Sequence, residues 1–574
     1  MISYHTKAVT TLPGYQLGQC LYEGPRTLVY QGMRLGDGAS TIVKILRTPH
    51  PSFNQLVQFR NQYAIARHLQ HANIVTPLAL ESYGNGYALI MPDSKAMALH
   101  DYWHKFNPNL EEFFVISLQL ADALHYLSQE QIIHKDIKPA NILICPHSKQ
   151  IKLIDFSISS LLPKETQTIQ TPNSLEGTLA YLSPEQTGRM NRGIDYRSDF
   201  YSLGVTLYEF LIGNLPFNSN DPLELIHAHI AQNPEPISTW VCLGGQLCPE
   251  PLSDIILKLM AKNAEDRYQS ALGLKYDLKK CLKEYKKTGK IAAFTLGERD
   301  LCDRFLIPEK LYGREHEVET LLESFHRVAT GESEIMLVAG FSGIGKTAVI
   351  NEVHKPIVKQ RGYFIKGKFD QFNRNIPFSA FVQAFRDFMG RLLRESDSAL
   401  AHWKRKILEA IGENGRVLID VIPELERIIG VQPPVPELSG SAAQNRFNLL
   451  LEKFIAVFTT KEHPLTLFLD DLQWADSASL NLLKVLMVDR QTGYLLLLGA
   501  YRDNEVFPAH PLMLTLAELQ KQQTTISTIT LTPLSIPHIN QLVAETLSCS
   551  IELAAPLTHL IYQNTKGNPF FTTQ

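Results

Sequence analysis

The stretch HKDIKPANILI, His134 to Ile144, decides how the first half of this 574-residue chain is read. Phosphoryl transfer asks little covalent chemistry of a protein. It needs the triphosphate fixed, metal charge placed between the phosphates, and a carboxylate beside the attacking hydroxyl. In this stretch Asp136 can accept the hydroxyl proton and Asn141 can hold a magnesium ion. Upstream, TIVKIL puts Lys44 on a strand from which it can reach the α- and β-phosphates, and downstream LIDFS supplies Asp155 as the main metal carboxylate. One strand and two loops thus carry these groups in the order the chemistry requires.

Three more motifs follow at sensible spacing: YLSPEQ with Glu185, RSDFYSLG with Asp199, and AEDRYQS with Arg267. Together with the first set they make residues 14–285 resemble a eukaryotic-type protein kinase over both lobes, an N-lobe of about 14–92 and a C-lobe of about 93–285. The resemblance implies an α+β bilobal fold, an ion pair between Glu185 and Arg267, and an Asp199 that braces the catalytic loop. It also implies that Gly24 and Val29 of the glycine-rich loop and Met91 and Asp93 around the hinge MPD line the ATP site. Lys138, two residues after Asp136 and counted with the catalytic set, points to serine or threonine substrates, and Thr178 of GTLAY agrees.

The chain departs from the family pattern at several positions. YEGPRTLVY keeps only Gly24 in register, with Tyr22 and Thr27 at the flanking glycine positions, so backbone approach to phosphates is less free. The glutamate expected to partner Lys44 falls on Gln62, whose neutral amide gives up the charge-assisted part of that contact. Lys135 stands where arginine is commoner, which weakens control through a phosphorylated activation segment, and Ser157 stands where glycine is usual. None of these removes a catalytic atom. The competing reading is a pseudokinase scaffold without phosphotransfer.

A second nucleotide motif lies in GFSGIGKT, Gly340 to Thr347, which fits G-x-x-x-x-G-K-[ST] without mismatch. It follows the strand-like EIMLVA and opens the helical KTAVINEVHK. Its backbone N–H groups, with Gly340, Gly343 and Gly345, can cradle phosphates, while Lys346 reaches the β- and γ-phosphates and Thr347 binds magnesium. In PLTLFLDDLQWAD, Asp470 would serve the magnesium and Asp471 would orient an attacking water. Adding LYGREHEVETLL with Gly313 and Arg314, LLLGAYRDNE with Arg502, and GNPFF with Gly567 and Pro569, residues 311–574 resemble the signal-transduction ATPases of the AAA-related class. The resemblance implies an α/β P-loop domain, a parallel sheet covered by helices, in which Arg502 senses the γ-phosphate. The order of the two units looks like the front of large bacterial hybrid sensor proteins that continue into a GAF domain and a histidine kinase. A winged-helix closing segment expected after GNPFF is not seen before Gln574.

Composition sets the frame. A hydrophobic share of 44% and a charged share of 20% are those of a globular chain of several domains. Lys plus Arg at 55 against Asp plus Glu at 58 gives no electrostatic argument for nucleic acid or membrane. Seven cysteines, at 20, 145, 242, 248, 281, 302 and 549, show no metal or redox spacing and favour a reducing, cytoplasmic setting. The N-terminus lacks a signal peptide, and no apolar run reaches the roughly 20 residues of a membrane helix. Residues 286–310 read as a linker. His100 and His104 have metal-like i, i+4 spacing but no third ligand, and His227 and His229 read as surface residues. The expectation is a cytoplasmic serine/threonine kinase using ATP and Mg²⁺ on a protein substrate. Its ATPase half would regulate or assemble, self-association included.

Overall fold

The computed structural model describes residues 12–574 apart from 162–163, 166–177, 189–191, 220, 244, 302–306, 309, 354–356, 358–361, 372–375, 394–396, 437, 439, 489–492 and 548. Two compact units divide the described residues, one ending at residue 301 and one beginning at residue 307.

The first unit opens with an antiparallel sheet of β1 (Tyr15–Glu23), β2 (Thr27–Arg34), β3 (Ser40–Leu46), β4 (Ala79–Tyr83) and β5 (Gly86–Pro92) in the order β1-β2-β3-β5-β4. Alternation decides its core: Val43 and Ile45 of β3 and Ala88 and Ile90 of β5 point to one buried side. Lys44, between the two β3 core residues, is therefore delivered to the opposite face. Helix α1 (Phe53–Ala66) starts at a capping box in which Ser52 and Gln55 satisfy each other's backbone N–H, and it buries Phe59, Gln62, Ile65 and Ala66.

Below the sheet lie α2 (Leu99–Phe106), α3 (Leu110–Gln129), α4 (Arg197–Ile212), α5 (Pro222–Ala231), α6 (Glu250–Leu259) and α7 (Ala271–Thr288). Asn109 caps α3 by accepting from the Glu112 N–H. Helix α4 is buried almost all round, as expected of a helix enclosed by others. Gly204 permits that enclosure, because a Cβ there would lie 2.8 Å from Leu259 and Met260. β6 (Met97–Ala98), which precedes α2, and β7 (Ile142–Ile144) and β8 (Ile151–Leu153), which lie between α3 and α4 in the chain, form a small sheet flanking the catalytic loop.

Two sequence expectations change. His229 is not a surface residue: it is fully buried, with Tyr201 Oη 3.0 Å from its Nδ1, because α5 packs that side inward. Much of the stretch read as a linker also lies against α7. Asp300 accepts from the backbone N–H groups of Gln269 (2.7 Å) and Ser270 (2.8 Å), Gly297 N–H donates to Asp277 (2.8 Å), and Lys280 sits 4.1 Å over the Phe294 ring. Low periodicity hid this, since extended chain held by side-chain acceptors has no repeat to show. Residues 302–306 and 309 of that stretch fall outside the described residues.

In the second unit five parallel strands run in the order Tyr363–Lys368, Leu465–Asp470, Leu495–Tyr501, Ser333–Ala339, Ile526–Thr530. Their apolar runs serve two cores: Ile335, Leu337, Leu467 and Leu497 face one side, and Met336, Val338, Phe468 and Leu498 the other. Helix α8 (Glu315–Ala329) packs on the second face, and α9 (Lys346–Glu352) follows the strand Ser333–Ala339 through the GFSGIGKT loop. The strands Tyr363–Lys368 and Ile526–Thr530 were not evident from sequence, being edge strands with short, mixed patterns. No helix among the described residues is long and apolar enough to cross a membrane.

Glu185 and Arg267 form a fully buried bidentate pair at 2.7 and 2.8 Å, and Arg267 also donates to the carbonyls of Ala261, Lys262 and Arg197. Burial raises the Glu185 carboxyl, but Arg267 and the Ser198 hydroxyl outweigh it and pull the group from 4.5 down to about 2. A lowered carboxyl stabilises the fold above its unfolded value, and that stability is lost as pH falls from about 4.5 towards 2, on the order of 3 kcal/mol. Glu185→Gln is therefore expected to lower the melting temperature at pH 7 by several degrees. The difference from the wild type should shrink between pH 4.5 and 2 in thermal unfolding followed by circular dichroism.

Candidate active site

The catalytic loop is built on one buried carboxylate. Asp199, in the first turn of α4, accepts from the backbone N–H groups of His134 and Lys135, both at 2.8 Å. Burial pushes this carboxyl up to about 7, against the two amide donors. The double contact holds Lys135 at φ 70°, a left-handed conformation costly for a non-glycine residue, and that turn presents Asp136. His134, buried and pushed towards its neutral form, stands with Nε2 3.1 Å from the Ile154 carbonyl.

Around Asp136 the expected residues converge. Lys138 Nζ lies 2.7 Å from Oδ2, Asn141 Nδ2 donates to Oδ2 at 2.8 Å and to the Asp136 carbonyl at 2.9 Å, and the Thr178 N–H donates to Oδ1 at 3.2 Å. Lys138 also donates to the Thr178 hydroxyl, joining the loop to the segment before YLSPEQ.

Lys44 Nζ is 2.9 Å from Asp155 Oδ2 and donates to Gln62 Oε1 at 3.0 Å. Burial raises the Asp155 carboxyl, but the Lys44 charge wins and holds it below its ordinary range. Asp155 itself sits at φ 68°, and its buried Oδ1 has no hydrogen-bond partner among the described residues. A small cavity beside this pair is lined by Gln62, Leu89, Met91, Asp155 and Phe156. Asp93 is tied by its side chain, accepting from the Ser40 hydroxyl (2.7 Å) and the Lys95 N–H (2.9 Å). Val29 pairs with Lys44 across β2 and β3.

The loop between β1 and β2 closes through a Gly24 N–H to Thr27 carbonyl bond of 2.9 Å, and the Tyr22 ring occupies the space where a Gly24 side chain would begin. Arg47, at the end of β3, was not singled out from sequence. It donates to the Gly24 carbonyl at 3.2 Å and pairs with Glu23 at 2.9 Å. A brace on a loop short of glycines has no motif to signal it.

In the second unit Gly340, Gly343 and Gly345 all have positive φ, and the loop wraps back on Lys346, whose Nζ donates to the carbonyls of Gly340 (2.7 Å) and Phe341 (2.9 Å). Thr347 donates to Asp470 Oδ2 at 3.2 Å. Burial and the neighbouring Asp471 raise the Asp470 carboxyl. Asp471 is engaged elsewhere: Gln473 donates to its Oδ1 at 2.8 Å, Lys368 lies 3.2 Å away and Arg502 3.5 Å. Arg502 also pairs with Glu505 at 2.8 Å and lies 4.8 Å over the Trp474 ring. Lys368, Gln473 and Asn568 were not read from sequence. The last donates to the Ser342 carbonyl at 3.1 Å while the Phe570 N–H donates to Gly343, so the GNPFF segment touches the phosphate loop.

These two constellations define a chain with a protein kinase domain followed by an AAA ATPase domain. The protein kinase domain model matches residues 15–277, and the AAA ATPase domain model matches residues 310–498. The chain is 40% identical over 331 residues to hybrid signal transduction histidine kinase G of Dictyostelium discoideum, a match covering 54% of this chain and 9% of that protein. It is 32% identical over 269 residues to the serine/threonine-protein kinase PrkC of Bacillus subtilis (strain 168), covering 46% of this chain and 40% of that one. It is 34% identical over 272 residues to the serine/threonine-protein kinase PknB of Mycobacterium leprae (strain TN), covering 46% and 42%. The chain thus spans less than half the length of each of these relatives.

Arg47→Ala tests the brace. An exposed ion pair contributes under about 1 kcal/mol, so KM for ATP in phosphotransfer is expected to rise about three- to fivefold with kcat within about twofold, measured by steady-state kinetics.

Proposed function

We propose that this chain is a serine/threonine protein kinase that transfers the γ-phosphate of ATP to hydroxyls of a partner protein. Its P-loop domain would act as a nucleotide-dependent regulatory or assembly module. The observation that carries the reading is the cluster of Asp136, Lys138, Asn141 and Thr178, assembled with the Lys44 to Asp155 pair already made.

In this reading Asp136 takes the proton from the attacking hydroxyl and Lys138 balances charge on the transferring phosphoryl group. Lys44 grips the α- and β-phosphates, while Gly24, Val29, Met91 and Asp93 border the nucleotide. The residues fit a magnesium ion: Asp155 Oδ1 is buried without a partner among the described residues, and Asn141 spends its amide nitrogen on Asp136, so its amide oxygen remains as a hard ligand. Bound there, Mg²⁺ would neutralise charge between the phosphates. In the P-loop domain Gly340, Gly343, Gly345, Lys346 and Thr347 would hold a second ATP, with Asp470 toward its metal. Asp471 and Arg502 would act on the γ-phosphate side after release from their mutual contact.

A pseudokinase scaffold is favoured by Gln62 and by the loop with Tyr22 and Thr27. Phosphotransfer from labelled ATP with Mg²⁺ to a generic acceptor protein decides between the two. Label on serine or threonine is expected, reduced at least about a hundredfold by Asp136→Asn and still present with Lys346→Ala. No label above the Asp136→Asn level would make the first unit a scaffold.

A further inference from the structure

Asn61 precedes Gln62 on α1, so the two side chains leave the helix roughly 100° apart. Gln62 is turned inward to Lys44. Asn61 Nδ2 instead donates to two main-chain carbonyls, Ser157 at 3.3 Å and Ser159 at 3.0 Å. These belong to the short stretch that follows Asp155. That stretch is itself fastened to the catalytic loop: the Ser159 hydroxyl donates to the His134 carbonyl at 3.0 Å, and Ile133 and Ser160 exchange backbone bonds of 3.1 and 3.0 Å. Lys44 and Asp155 close the circuit.

A closed circuit of this kind fixes where α1 sits, and hence where Lys44 points. A carboxylate partner on α1 would hold Lys44 as an ion pair. Gln62 supplies only a neutral acceptor, so α1 needs a second attachment to stay against the site. We infer that Asn61 is that attachment: a positioning residue that locks α1 to the backbone behind Asp155 and so holds Lys44 in its phosphate-gripping geometry. The inference deepens the proposed kinase reading and rests on it for the identity of the nucleotide.

The two bonds are donations to carbonyls, which sets the test. Asn61→Ala removes them, and Asn61→Asp puts an acceptor against two acceptors, so its effect is expected to be the larger. In the full chain carrying Lys346→Ala, so that binding reports the first site, both variants are expected to weaken MgATP binding about five- to tenfold. The phosphotransfer kcat should fall in the same order. Gln62→Glu, by giving Lys44 a charged partner on α1 in addition to Asp155, is expected to recover most of the loss in Asn61→Ala. Unchanged MgATP affinity in both variants overturns the inference, as does a loss that Gln62→Glu leaves in place, since a merely structural defect would not be rescued at Lys44. If the chain with Asn61 intact gives no phosphotransfer above Asp136→Asn, the kinase reading falls, and the MgATP affinities alone decide the role of Asn61.

Discussion

The carboxylate of Asp199 is the constraint on which the first site depends. Two buried amide N–H groups converge on it, and each would cost roughly 1–3 kcal/mol if left unpaired. Their capture supports the left-handed backbone at Lys135, and that backbone sets the direction of Asp136. Everything nearer the reaction, the Lys138 and Asn141 contacts included, hangs from a loop that would relax without this anchor in α4. The Glu185 to Arg267 pair anchors the neighbouring segment in the same manner, with a charge enclosed by opposite charge and by backbone donors or acceptors.

The second site is organised on another principle. Parallel strands with both faces buried bring Gly340, Asp470 and Arg502 to one edge of the sheet, because successive parallel strands end on the same side. Glycines with positive φ then let the chain turn back over that edge. The polar groups there are engaged with one another: Lys346 with its own loop, Asp471 with Gln473, Lys368 and Arg502. In the proposed reading, a bound nucleotide would exchange these contacts for contacts with phosphate.

Both units were legible in the sequence to an unequal degree. The kinase motifs carried their supports with them, and the helix read from LEEFFVISLQLADALHYLSQ is α3, Leu110–Gln129. The strands of long apolar runs, such as Leu495–Tyr501, were also legible, because burial on both faces demands such runs. The edge strands Tyr363–Lys368 and Ile526–Thr530 were not, since one open side removes that demand. His229 read as surface because one polar residue in a helix does not tell which face is inward.

What the sequence determined by itself was the inventory: which residues are candidates to hold phosphate, metal and a proton, and the order in which the kinase and ATPase units follow each other. Those signals are local, because a P-loop or a catalytic loop is a short run whose backbone and side chains act together. What tertiary structure decided was the partnering. Arg47 bracing Gly24, Asn61 reaching Ser157 and Ser159, Asp300 holding Gln269 and Ser270, and Lys368 holding Asp471 all join residues far apart in the chain or of no diagnostic type. A hydrogen bond depends on where donor and acceptor meet in space, and only the packed sheets and helices bring these atoms together.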